Sequence, residues 1–196
     1  FWDIASRQAL ASQAFAAPLA SMNLWSAVKA VDYGGPVATS SPFSHLWSLA
    51  LEEQFYLVLA PAFVLFGRLR QSKSSSRRLM VGSVVAAGLV SFAVSVAYGR
   101  GSQPAFAFYL LEARAWELLS GVLLALLPGL VAAGPRAWRS LSGWAGLALV
   151  AAASVTNEIL DGRPTAGPAL AVAGAALVIL AGPGTGRFSA GRALSL

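Results

Sequence analysis

Cysteine is absent from these 196 residues, and histidine occurs once. The first absence excludes disulfides and thiolate metal sites, and with a single histidine no histidine-based metal cluster is expected. Charge is scarce as well: charged residues make up 11% of the chain, against about a quarter of an ordinary soluble domain. Within that small set, 14 basic residues outnumber 8 acidic ones. A basic surplus can signal nucleic acid. Here the basic residues sit in short connectors between apolar runs, the positive-inside arrangement of a membrane protein, so no nucleic-acid partner is expected.

What the chain has in quantity is apolar surface: 57% hydrophobic residues and a mean hydropathy of +0.66. Runs of about 20 apolar residues are long enough to cross a bilayer. The expected fold is therefore all-α, a polytopic transmembrane helical bundle forming part of a single membrane domain over residues 1–196. Its spans are expected near 8–28, 43–67, 79–98, 105–127, 141–156 and 166–180, about six in all. Between them lie turn-rich stretches such as Tyr33-Gly34-Gly35-Pro36, the basic loop Arg68–Arg78 and Asn157–Pro164. Pro61 is expected to kink the second span. The start Phe1-Trp2-Asp3 carries no signal-peptide pattern, and Arg192–Leu196 brings no closing element, so an internal piece of a longer protein is expected. No internal repeat is visible, nor any broken helices in repeated positions.

Alternation places the Arg68–Arg78 loop, Arg7, Arg136, Arg139, Arg187 and Arg192 inside, with only Lys29, Arg100 and Arg163 outside. The basic loop reads as a solvated cytoplasmic connector, with contact to anionic lipid or to a phosphorylated donor as the sharper alternative. This orientation puts the His45 end of the second span on the outer face.

Two of the expected spans are anomalously polar. The second reads His45-Leu46-Trp47-Ser48-Leu49-Ala50-Leu51-Glu52-Glu53-Gln54-Phe55-Tyr56, and the fourth carries Glu112, Arg114 and Glu117. Intramembrane ionisable groups are costly and mark function by default. A structural ion-pair network, an interfacial position for His45 and Trp47, and plain packing for Phe55 and Tyr56 are the blander alternatives. At a rise of about 1.5 Å per residue, Glu52, Glu53 and Arg114 all lie roughly 10–13 Å in from the outer ends of their helices. Arg114 is accordingly expected to pair with Glu52 or Glu53. His45, Ser48 and Glu52 share one helix face, Glu53, Tyr56 and Ala60 a neighbouring one, and Arg114, Glu117 and Gly121 another on the fourth helix.

The stretch His45-Leu46-Trp47-Ser48-Leu49 to Glu52-Glu53-Gln54-Phe55-Tyr56, followed by Pro61, resembles the signature of the acyltransferase 3 family of integral membrane acyltransferases. Phe108-Tyr109 to Arg114-Ala115-Trp116-Glu117-Leu118-Leu119-Ser120-Gly121 resembles that family's second characteristic helix, and Asn23 also fits. The resemblance implies transfer of an acyl group, commonly acetyl, from acyl-CoA as co-substrate to a hydroxyl of a glycan or glycosylated acceptor outside a bacterial inner membrane. No bound cofactor is implied. It also implies a catalytic histidine in an earlier helix, which this sequence does not contain, so missing N-terminal helices of the same protein are expected partners beside the lipid bilayer. The expected catalytic residues are Glu52, His45 and Arg114. Glu52 would orient or charge that histidine, and Arg114 would tune Glu52 or bind the donor. Trp47, Ser48, Glu53, Tyr56 and Glu117 are the expected substrate-binding residues. A multi-span transporter or flippase with an intramembrane Glu/Arg path is the alternative.

Overall fold

The structure is a computed structural model that describes residues 11–33, 43, 45–68, 73–101, 104–131, 134–159 and 166–182. Every regular element among them is helical, as the composition requires. A helical segment at 11–16 precedes α1 (Met22–Tyr33). Then follow α2 (Leu46–Arg68), α3 (Lys73–Arg100), α4 (Pro104–Tyr109), α5 (Leu111–Leu126), a 3-10 turn (Pro128–Leu130), α6 (Arg136–Ile159) and α7 (Ala166–Ala181).

By length and hydropathy, two helices can cross a membrane: Leu46–Arg68, and the part of α3 over Arg77–Arg100. Their apolar side chains face outward. Leu57 is 72% exposed, Val58 65%, Leu89 66% and Val90 65%. Water would penalise such faces and lipid would not, so these helices belong to a membrane protein rather than to a soluble core.

Four boundaries differ from the sequence expectation. The single span expected over 8–28 is broken at 17–20. Pro18 supplies no N–H to continue a helix, and Ala20 turns into the left-handed region at φ 49°. Ser21 N–H then reaches back to Ala16 O (3.1 Å) and Ala20 N–H to Ala17 O (3.3 Å). These are the paired bonds that close a helix with a left-handed residue, a place usually taken by glycine.

The span expected over 105–127 is likewise interrupted at Leu110, between α4 and α5. Ala113 N–H bonds to Leu110 O at 3.2 Å instead of reaching Tyr109 O one residue further back. The tightened turn leaves the Tyr109 carbonyl for another donor.

The basic loop is also shorter than expected, because α3 already begins at Lys73, and residues 69–72 lie outside the described ones. Arg77 does more than face solvent: its Nε and Nη2 donate to Leu126 O (3.1 and 2.9 Å), the last carbonyl of α5. A cation there satisfies an orphan acceptor and complements the helix dipole. Finally, α6 runs from Arg136 to Ile159 instead of 141–156, taking in residues expected in the flanking loops. Arg139 N–H is already bonded to Pro135 O at 3.2 Å, so the first turn closes ahead of the apolar run. By contrast, α2 passes through Pro61 without ending.

The described chain divides into two compact units, one of residues 1–76 with 91–115, the other of residues 77–90 with 116–196. In the first, Ala16, Met22 and Ala50 form a small core packed by Trp25, Phe43 and Leu46. In the second, α6 and α7 form an antiparallel hairpin with backbones in direct contact. A Cβ added to Gly146 would lie 2.6 Å from Gly174 O, and one on Gly174 would lie 2.7 Å from Gly146 O. Val150 and Val178 flank this point. Buried small residues recur every seven positions along the seam: Gly146 and Ala153 on α6, and Gly167, Gly174 and Ala181 on α7. Small residues at such spacing let helices approach where no large side chain could fit. The end of the hairpin is tied by Arg139 Nε, which donates to Ala181 O at 2.8 Å.

Candidate active site

The polar anomaly of α2 is split between two faces. At about 100° per residue, Trp47, Leu51 and Gln54 fall on one side of the helix, with Ala50 and Phe55 beside them. Ala50, Leu51 and Phe55 are buried, and Trp47 and Gln54 are half-buried. His45, Ser48, Glu52, Glu53 and Tyr56 fall on the other side and are all exposed. Local bonding follows the same division: Ser48 Oγ donates only to the His45 carbonyl, at 3.3 Å.

On the inward face, Trp47 meets the α4 aromatics. Its ring lies 4.8 Å from that of Phe108 and 5.3 Å, edge-on, from that of Tyr109. Phe108 and Tyr109 are themselves edge-on at 4.9 Å. Arg114 completes the group, with its Cζ 5.5 Å from the Trp47 centroid and 5.6 Å from that of Phe108. A guanidinium over aromatic faces is held by about 0.5–2 kcal/mol, depending on how well water is excluded. Its planar fork suits bidentate recognition of a phosphate or carboxylate. The structure thus joins residues 67 positions apart, one from each motif.

The expected partnership of Arg114 with Glu52 or Glu53 is not what the geometry brings together. Glu52 lies about 140° from Trp47 around α2 and Glu53 about 120°, while Arg114 sits over the Trp47 ring. Equal depth along two helices leaves the direction around each of them open.

The inward face of α2 also carries an amide pair, fully buried at Asn23 and half-buried at Gln54. Asn23 of α1 has no exposed surface. Its Nδ2 donates to Gln54 Oε1 (3.2 Å) and to Tyr109 O (3.1 Å). Gln54 Nε2 donates to Asn23 Oδ1 (2.9 Å) and to Ala20 O (2.6 Å). Each amide therefore spends one hydrogen bond on a main-chain carbonyl at a helix break. The sequence marks both residues as polar, but no spacing rule points to a pairing across 31 positions or to a backbone acceptor.

The outward face of α2 borders an open groove of about 590 Å³. Pro18, Leu19 and Ala20 of the break form one wall, and Glu53, Tyr56 and Leu57 of α2 the other. Two of the expected binding residues, Glu53 and Tyr56, thus share one concave surface. Glu117, on α5, is half-buried, and its main-chain carbonyl accepts from Ser120 Oγ at 2.6 Å. Gly121 opens onto free space, with no atom within 4 Å of an added Cβ. Among the described residues, no three histidine, aspartate or glutamate side chains gather as a metal site would require.

Comparison with known proteins adds the family context. No family model and no solved structure matches the chain. It is 38% identical over 104 residues to the peptidoglycan O-acetyltransferase OatA of Listeria monocytogenes. It is 33% identical over 104 residues to the putative peptidoglycan O-acetyltransferase YrhL of Bacillus subtilis. Each match takes in 53% of this chain and 16% of the relative. Over the 104 matched residues, therefore, the chain is similar to two peptidoglycan O-acetyltransferases, while spanning only a small part of the length of either.

Proposed function

We propose that the chain is part of a multi-pass membrane O-acyltransferase of a bacterial inner membrane, moving an acetyl group from acyl-CoA to a hydroxyl of a peptidoglycan-like glycan. Its homology to two peptidoglycan O-acetyltransferases supports the reaction class and the acceptor class. The observation that carries the site is the Arg114 guanidinium over Trp47 and Phe108, since it unites both motifs in one place.

In this reading Arg114 binds the anionic part of the donor, in a setting where a guanidinium fork outperforms an ammonium. The exposed face of α2 receives the acceptor: His45 and Ser48 hydrogen-bond sugar hydroxyls, and Glu53 and Tyr56 line the groove beside them. Glu52 orients the histidine that the family resemblance implies, keeping it basic enough to take the hydroxyl proton. Glu117 contributes to substrate binding from α5.

The test uses the full-length protein in membrane vesicles supplied with labelled acetyl-CoA and a peptidoglycan acceptor. Label on the glycan is expected, and Glu52→Gln should lower transfer by about 100-fold or more. Wild-type turnover in that variant removes Glu52 from the mechanism. A transport reading gains one observation, the pair of interrupted helices at 17–20 and Leu110. Movement of unmodified substrate without labelling would favour it.

A further inference from the structure

We propose that Asn23 and Gln54 are a positioning pair, which fixes two broken helices against α2 so that both halves of the transfer site keep their geometry. The inference rests on the acyltransferase reading above.

A fully buried Asn23 and a half-buried Gln54 are costly in an apolar protein unless their polar atoms are paired. Here they are paired reciprocally, and the remaining donors go to the Ala20 and Tyr109 carbonyls. Those are not arbitrary acceptors. Ala20 is the left-handed residue that ends the 11–16 segment, and Tyr109 is the last residue of α4. Continuous helices would have needed neither bond, because their carbonyls would be satisfied internally. The breaks and the amides that serve them are therefore one device.

Each anchored carbonyl controls a different part of the site. Ala20, with Pro18 and Leu19, forms the groove wall opposite Glu53 and Tyr56. Tyr109 and its neighbour Phe108 supply the rings that hold Trp47 and, through Trp47 and Phe108, Arg114. Gln54 lies on the same α2 face as Trp47, one position past Glu53 in the chain. A shift at the pair thus moves the groove wall and the guanidinium seat together. Neither amide needs to touch substrate; they act through Ala20 and Tyr109.

The experiment measures acetyl transfer from labelled acetyl-CoA to peptidoglycan by the full-length protein, with its membrane level quantified. Asn23→Leu removes the pair. Gln54→Asn keeps an amide but shortens it by one methylene, so it no longer reaches Ala20. Each is expected to lower kcat per molecule about tenfold with little change in KM, as a misplaced site does. Adding Ala20→Gly to Gln54→Asn should restore several-fold of that loss, because glycine holds the left-handed turn without the Gln54 bond. Wild-type kcat in both variants overturns the proposal. So does a loss fully explained by reduced protein level, or one that Ala20→Gly leaves unchanged. No transfer by the unsubstituted protein would instead sink the acyltransferase reading, and this inference with it.

Discussion

The guanidinium of Arg114 lies 5.5 Å from the centre of the Trp47 ring. That contact links the two sequence motifs and makes Arg114 more than a counter-charge. Arg114→Lys keeps the charge but loses the planar fork, so transfer by the full-length protein should fall about tenfold or more. If Arg114 were only a counter-charge to Glu52 or Glu53, lysine would substitute for it. A double-mutant cycle between Arg114→Leu and Trp47→Leu should show coupling of about 0.5–2 kcal/mol in transition-state free energy. The corresponding cycle with Glu52→Gln tests the ion pair expected from depth alone, and additivity there removes it.

Ala20 occupies a position where an L side chain is strained, at φ 49°. Replacing it with glycine removes a clash worth roughly 1 kcal/mol, partly offset by the greater freedom of glycine in the unfolded chain. Ala20→Gly should therefore be neutral or stabilising in thermal unfolding of the detergent-solubilised protein. A clear drop in melting temperature would show that the turn is not held as described.

The α6–α7 hairpin predicts the opposite response to the smallest addition. Gly174→Ala places a methyl 2.7 Å from a backbone oxygen, which cannot move aside as a flexible side chain would. The helices must separate, at an expected cost of about 1–3 kcal/mol. Gly121→Ala serves as the control, since nothing lies within 4 Å of the added group. Equal melting temperatures for the two variants would contradict the close approach at Gly146.

Arg77 closes α5 by donating twice to Leu126 O. Because the arginine is exposed, Arg77→Ala should cost no more than about 1 kcal/mol, and less at high salt. Hydrogen exchange should show the loss in the last turn of α5. Unchanged protection there would assign the arginine to solvent alone.

The sequence by itself determined the all-α class, the membrane setting and the family resemblance, because scarce charge and long apolar runs admit few other structures. It also showed which helices carry unusual polarity, since polar groups in apolar runs stand out one residue at a time. Depth along a helix follows from rise per residue. Direction around the helix does not, so depth alone points Arg114 to Glu52 and Glu53, whereas the folded chain sets it against Trp47 and Phe108. Only the tertiary structure decided the two breaks. Pro18 hinted at the first, but Ala20 is no usual left-handed residue, and Leu110 carries no breaking signal at all. Both are sustained by amides from elsewhere in the chain, Gln54 on Ala20 and Asn23 on Tyr109. A backbone carbonyl has no letter in the sequence, so its partner becomes visible only once the chain has folded around it.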